Sequence, residues 1–235
     1  MARQAKEKAT PERKRGSGVK FVYDSLRDEI LDLKLAPGSL IDESELSERF
    51  SISRTPIREA LVRLQGEGLI TTLPNRSTIV SNIDFLNLHR FFDALSLMYR
   101  VTTRLAAEYR TDEDLETIRA LQADFRRAAE SEDALAMISA NRDFHAGIAA
   151  AGRNPYYNGL FLKLLDEGRR IMRFYYSSFE DRLPERYVEE HDAMIDAIAR
   201  RDIETADRLA ARHADQIIGQ IQAMISRDKR QAIRL

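Results

Sequence analysis

From Val19 to Leu35 the apolar residues Val19, Val22, Leu26, Ile30 and Leu33 recur at three- and four-residue steps, which predicts an amphipathic helix. Pro37 and Gly38 in "APGSL" end it in a turn. A short helix follows that carries Leu46 and Phe50 inward, with Asp42 as its N-cap and Glu45 completing a capping box. After a three-residue "SIS" turn a second helix begins at Ser53, with Pro56 in its first turn and Ile57, Leu61 and Leu64 facing inward. Gly66 and Gly68 close it. "GLITTLPNRSTIV" then sets β-rich arms around "PNRS", the pattern of a hairpin. Beyond about Asp84 helical periodicity runs to the end. It breaks near Thr111/Asp112, Ser131 to Asp133, Gly152 to Pro155, Leu183/Pro184 and Arg200 to Asp202. Six helices are predicted, or seven if the 84–109 stretch is divided, and they form an all-α bundle.

Two short helices joined by a tight turn after a preceding helix are the parts of a helix-turn-helix, whose second helix offers its N-terminal residues to the DNA major groove. Arg54 and Arg58 lie one turn apart at that end, with Ser53 and Thr55 beside them. Free backbone N–H groups and the helix dipole favour phosphate there, and arginine forks can read guanine O6 and N7. Two arginines at this spacing on a capped helix are also compatible with an ordinary solvated face. The hairpin tip carries Asn75 and Arg76, which suit a wing reaching the adjacent backbone or minor groove. Residues 1–20 hold seven Lys/Arg against Glu7 and Glu12. Residues 1–18 thus read as a basic flexible tail, able to lie along a polyanion or simply to be solvated. The predicted fold class is mainly α, with a winged helix-turn-helix in residues 19–80 and an all-α domain in 84–228.

Composition narrows the function. Of the 235 residues 43% are hydrophobic and 32% charged, as in a soluble, mostly helical protein of two domains. The absence of cysteine excludes a disulfide framework and thiolate metal sites and suits a reducing cytoplasm. No apolar stretch approaches the roughly 18 residues of a membrane span, and the N-terminus lacks the apolar core of a signal peptide.

Residues 22–80 resemble the winged helix-turn-helix of the GntR family of bacterial transcription regulators. The PG turn, "SRTPIREAL", "EGLI" and "PNR" all stand in family order. The resemblance implies that Ser53, Arg54, Thr55 and Arg58 occupy DNA-contacting positions. Two positions depart from the family pattern: an arginine common on the preceding helix is Ser44 here, and the usual wing glycine is Ser77.

Three of the four histidines fall on inward stripes. His145 continues Ile138, Asn141 and Ile148; His191 lies with Tyr187, Met194, Ile195 and Ile198; His213 lies with Ala206, Leu209, Ile217 and Ile221. If the chain reverses near Arg201/Asp202, an antiparallel pair brings His191 and His213 level, each about 15–18 Å from the turn. Asn141 stands one turn before His145. Neutral imidazoles suit zinc or nickel, and a three-histidine site leaves positions open for water or an anion. A hydrogen-bonded core histidine is the alternative at each position.

The sequence "NRDFHAGIAAAGRN", together with the His191 to His213 spacing, resembles the FCD effector domain of the FadR subfamily of GntR regulators, over residues 85 to about 228. The resemblance implies a divalent metal held by Asn141, His145, His191 and His213, with Asn141 at a position that is commonly aspartate. It also implies a small organic acid effector whose carboxylate completes the coordination sphere. Leu95 and Tyr99 stand where a ligand arginine and a following glutamate are often found, so the usual anion contact is either missing or supplied by Arg100, Arg104, Arg169 or Arg173, each of which also reads as a surface or structural arginine. The expected protein is a ligand-responsive regulator, a cytoplasmic homodimeric repressor on an inverted-repeat double-stranded operator, because a small reading head needs two half-sites. A structural metal, a metal-free pocket for a larger ligand, and a metal hydrolase fused to a DNA anchor are the alternatives. The last lacks an evident general base, since Asp143 faces away from Asn141 and His145.

Overall fold

The computed structural model describes residues 17–131, 133–177 and 186–231. Most of the basic tail and the Leu183/Pro184 break lie outside the described residues. The chain divides into two compact units, one of residues up to Ile30 and Leu35–Asn82, the other of Leu31–Lys34 and Ile83 onward.

In the first unit α1 (Ser17–Leu31) packs with α2 (Glu43–Phe50) and α3 (Arg54–Gly66). Their apolar stripes meet, so that Val22, Leu26, Ile30, Ile57, Ala60 and Leu64 are fully buried. The first helix ends at Leu31, four residues earlier than its apolar pattern predicts. Leu33 adopts φ 57°, left-handed backbone that a helix cannot contain. Asp42 caps α2 by accepting from the N–H groups of Ser44 and Glu45. Ser53 takes the N-cap position of α3 without a side-chain cap bond.

The hairpin forms as β2 (Ile70–Thr72) and β3 (Thr78–Val80), and "APGSL" does more than turn. Leu40–Ile41 is a strand, β1, paired antiparallel with β3, giving a three-stranded sheet of order β1-β3-β2. Gly38 makes this possible: at φ 82° its N–H reaches the Val80 carbonyl at 2.9 Å.

The second unit is helical: α4 (Leu88–Tyr109), α5 (Asp112–Glu130), α6 (Ala134–Ala151), α7 (Pro155–Ser177), α8 (Arg186–Ala199) and α9 (Ile203–Gln231). Each break expected within the described residues separates two of them. A reciprocal capping box, Thr111 with Asp114, starts α5. Gly147 on α6 lets α5 approach so closely that an added Cβ would stand 2.5 Å from a Leu121 methyl. Arg110 and Arg201 stitch helix ends, donating to the carbonyls of Ala199 and Glu108 respectively. Aromatic and aliphatic residues from all six helices form the core.

Candidate functional site

On α3, Ser53, Arg54, Thr55 and Arg58 are all exposed. Neither arginine is slack. Arg54 Nη2 donates to Ser44 Oγ at 3.2 Å, and Arg58 Nε donates to Glu43 Oε2 at 2.7 Å. Thus the first turn of α2, where Ser44 replaces the arginine of the family pattern, holds both guanidinium groups of α3. Backbone N–H groups of Glu45 and Ser44, with Arg54 nearby, hold the Asp42 carboxyl below the usual carboxylate range.

In the wing the Leu73 N–H donates to the Ser77 carbonyl at 2.8 Å, and Asn75 Oδ1 accepts from the Ser77 N–H at 3.0 Å. The left-handed residue of this tip is Arg76, at φ 67°, and Ser77 is not among the positive-φ residues, so its serine meets no left-handed strain. Asn75 and Arg76 are exposed.

In the helical unit α6, α8 and α9 bring His145, His191 and His213 together. Their ring centroids are 4.9 Å (145–191), 5.1 Å (145–213) and 5.0 Å (191–213) apart, and all three are buried. The level placement of His191 and His213 expected from antiparallel α8 and α9 is what occurs.

Hydrogen bonding fixes the ring orientation. Gln122 Nε2 donates to the Val188 carbonyl and to Asp192 Oδ1, both at 3.0 Å, so its Oε1 must be the atom facing His191 Nδ1, also at 3.0 Å. Nδ1 of His191 therefore carries the proton, and Nε2 keeps its lone pair. His213 Nδ1 faces Glu190 Oε2 at 2.8 Å, so that nitrogen carries a proton. Nε2 of all three histidines is buried without a hydrogen-bond partner. Burial first, then the neighbouring imidazoles, pushes the pKa values of His145 and His191 well below the ordinary histidine value. Three imidazoles whose ligand atoms lie within 4.8 Å of one another fit a divalent cation, for which imidazole is a natural ligand.

Asn141 is buried on α6 and hydrogen-bonded to Tyr99, whose hydroxyl pKa is raised by burial. The Tyr99 ring stands edge-on to His145 at 4.6 Å and to His213 at 5.5 Å. Two small cavities share Asn141, Ile138, Met172 and Ile217 in their walls. Of the four arginines that are candidates for an anion contact, Arg169 lines the larger cavity. Arg100 binds Asp207 through two hydrogen bonds, and Arg104 pairs with the same carboxylate at 3.3 Å. Neither is among the residues lining the two cavities, and both are accounted for as α4–α9 links. Arg173, half-buried on α7, is one turn beyond Arg169.

Sequence reasoning missed Glu43, Gln122 and Glu190, and gave Tyr99 no role. Glu43 sits within α2's first turn, where an acid opposite an arginine could have been sought. Gln122 pairs with a histidine 69 residues away, and nothing local announces it.

An exposed basic helix on a winged domain, followed by a helical unit with a buried polar centre, is the arrangement of a DNA-binding regulator with a second, all-helical domain. The comparisons place it further. The FCD domain profile matches residues 91–216, and that of bacterial regulatory proteins of the gntR family matches residues 18–80. The chain belongs to the GntR family of bacterial transcription regulators, in the group that carries an FCD domain. An HTH-type regulator from an unstable DNA locus of Streptomyces ambofaciens is 43% identical over 63 residues, which is 27% of each chain. The HTH-type transcriptional repressor NanR of Enterobacter sp. (strain 638) is 28% identical, spanning 84% of this chain and 82% of its own. Among solved structures, E. coli McbR/YncC shares the fold with TM-score 0.78 at 22% identity, over 89% of this chain and 99% of that one. Among the described residues no helix is long and apolar enough to cross a membrane.

Proposed function

We propose that the protein is a cytoplasmic, homodimeric repressor that releases or retains an inverted-repeat operator according to a small carboxylate bound in its helical domain. The buried histidine cluster with three unpartnered Nε2 atoms is the observation that carries the sensing part. A core histidine with no ligand to meet would normally find hydrogen-bond partners for both ring nitrogens.

Ser53, Arg54, Thr55 and Arg58 read the major groove, and Asn75 and Arg76 contact the flanking backbone or minor groove. Ser44 and Glu43 keep the two guanidinium forks from sampling many rotamers before DNA arrives, which lowers the entropy lost on binding. His145, His191 and His213, with Asn141, would hold a zinc- or nickel-like ion. When bound, the metal supplies a Lewis-acid position for a carboxylate. Gln122 and Glu190 orient the rings, and Tyr99 orients Asn141. A neutral Asn141, where aspartate is common, leaves the centre more positive and more demanding of an anionic ligand. The name of NanR, an HTH-type repressor over most of its length similar to this chain, supports repression. Effector and operator are coupled reciprocally: an acid that weakens operator binding is itself bound more weakly by the DNA complex.

Selection from random duplex DNA with the full-length protein tests this. The expected product is an inverted repeat whose half-sites lie about one helical turn, 10 bp, apart or a multiple of it. Enrichment of single, unpaired half-sites would count against the homodimer, and enrichment of no sequence against the reading helix.

A further inference from the structure

The larger cavity beside Asn141 is walled by Phe91, Leu95, Ile138, Leu165, Met172 and Ile221, with Arg169 among its few polar neighbours. Its polar groups are mostly engaged. Asn141 is hydrogen-bonded to Tyr99, and Arg142, which also lines it, is held by Asp166 at 3.0 Å and Asp143 at 3.1 Å. Arg169 differs. Its Nη2 donates to Asp32 at 3.0 Å, yet its Nε, on a side chain nine-tenths buried, has no hydrogen-bond partner.

A buried guanidinium N–H without an acceptor is costly, and it lies here on the wall of a cavity that could supply an acceptor from a ligand. Apart from Tyr99, Asn141 and Arg142, which already hold partners, the other walls are aromatic or aliphatic. A polyhydroxylated acid would lose its hydration against aromatic and aliphatic side chains, whereas an apolar body would gain by the same burial. As observed, the space amounts to about 20 Å³, room for roughly one water, so a ligand must displace side chains. Met172 and Ile217 separate this cavity from the second one, and the unbranched thioether of Met172 is suited to yield.

We propose that the effector is an acid with an apolar body, aryl or branched aliphatic, rather than a sugar acid, and that the Nε–H of Arg169 is one of its anchors. This rests on the reading that the helical domain takes a small carboxylate. It adds which carboxylates the apolar walls admit and names a residue that anchors them.

Phenylacetate and gluconate carry the same charge and differ in the body, which makes them suitable probes. Calorimetric titration of the zinc-loaded full-length protein is expected to show phenylacetate binding at least tenfold more tightly than gluconate. Arg169→Lys keeps a cation for Asp32 but removes the Nε–H, and is expected to weaken phenylacetate at least tenfold with zinc content unchanged. Gly168→Ala serves as a second variant. Gly168 lines the cavity, and an added Cβ meets only a Phe91 ring carbon, at 3.7 Å, so the fold tolerates it while the cavity shrinks. It too should weaken phenylacetate. Equal or tighter binding of gluconate, binding of neither acid, or unchanged phenylacetate affinity in Arg169→Lys would each overturn the proposal. Zinc content by mass spectrometry on the same samples judges the metal reading separately: loss of zinc with phenylacetate still bound defeats the metal and leaves the apolar-acid pocket standing.

Discussion

Arg58 leaves 63% of its side chain exposed and is tied at the surface to Glu43, whereas His191 is wholly buried with one ring nitrogen bonded and the other bare. If both regions bind the ligands proposed for them, they do so on opposite terms. A surface ion pair contributes about 0–1 kcal/mol, so it can be exchanged for phosphate or guanine at little cost. A buried polar atom without a partner costs about 1–3 kcal/mol, so an ion coordinated by the histidine cluster would relieve a cost that the bare cluster carries. Folding of α3 should therefore be nearly independent of DNA. Stability of the helical unit should depend on what occupies its centre.

The largest expected effect is at the buried site. His145→Ala should abolish the uptake of one zinc- or nickel-like ion per chain, measured by mass spectrometry on protein purified without chelators or an affinity metal. Wild type should gain about 2.7 kcal/mol of stability at metal concentrations a hundred times its Kd, and the variant should gain none. A variant that keeps its metal would place the ion elsewhere and erase the contrast.

On the exposed side, Arg54→Ala combined with Arg58→Ala should weaken operator binding about 100-fold or more in a gel-shift titration, since each base contact is worth about 1–3 kcal/mol. Urea unfolding and metal content should be those of wild type. Unchanged operator affinity would remove α3 as the reading element.

Between these lies Gln122→Ala, which leaves the ligands in place and frees only the ring of His191. Metal affinity should fall about 10–100-fold, as for other residues that orient metal-bound histidines. An unchanged affinity would reduce Gln122 to a packing role.

Protonation sharpens the comparison further. His145 and His191 have folded pKa values below the ordinary 6.5, so the unfolded chain binds their protons more readily. Their contribution to stability is intact above about pH 6.5 and is lost as pH falls below it, by up to about 1.4 kcal/mol per pH unit for each histidine. Metal-free protein followed from pH 8 to 5 should lose Tm over that window, and His191→Gln should flatten the loss. A Tm that rises on acidification would contradict neutral buried rings.

The smallest effect is a control. Thr111→Ala removes one half of the capping box of α5 and should cost about 1 kcal/mol in urea unfolding, with operator and metal affinities per folded chain unchanged.

Much of this was legible beforehand, for reasons that differ between elements. The six helices of the second unit follow from apolar spacing, and counting residues back and forward from Arg201 was enough to bring His191 level with His213. Strand β1 was not legible, because two residues show no alternation, and Leu40–Ile41 is a strand only through its partner β3. The end of α1 was misplaced because Leu33 continues the apolar stripe past the point where the backbone turns left-handed. Glu190 was hidden by its position: adjacent to His191 in sequence, it serves His213 across the helix pair.

The sequence by itself determined the order of elements, which helix carries arginines at its N-terminus, and which histidines face inward, because these depend on periodicity and capping within a few residues. Only the tertiary structure decided which nitrogens are left bare, that Tyr99 packs against the centre, and that Arg169 lines a cavity with one N–H unsatisfied. Those are matters of hydrogen-bond partners 69 or 137 residues apart, and a chain reveals such pairs only when packing brings them within 3 Å.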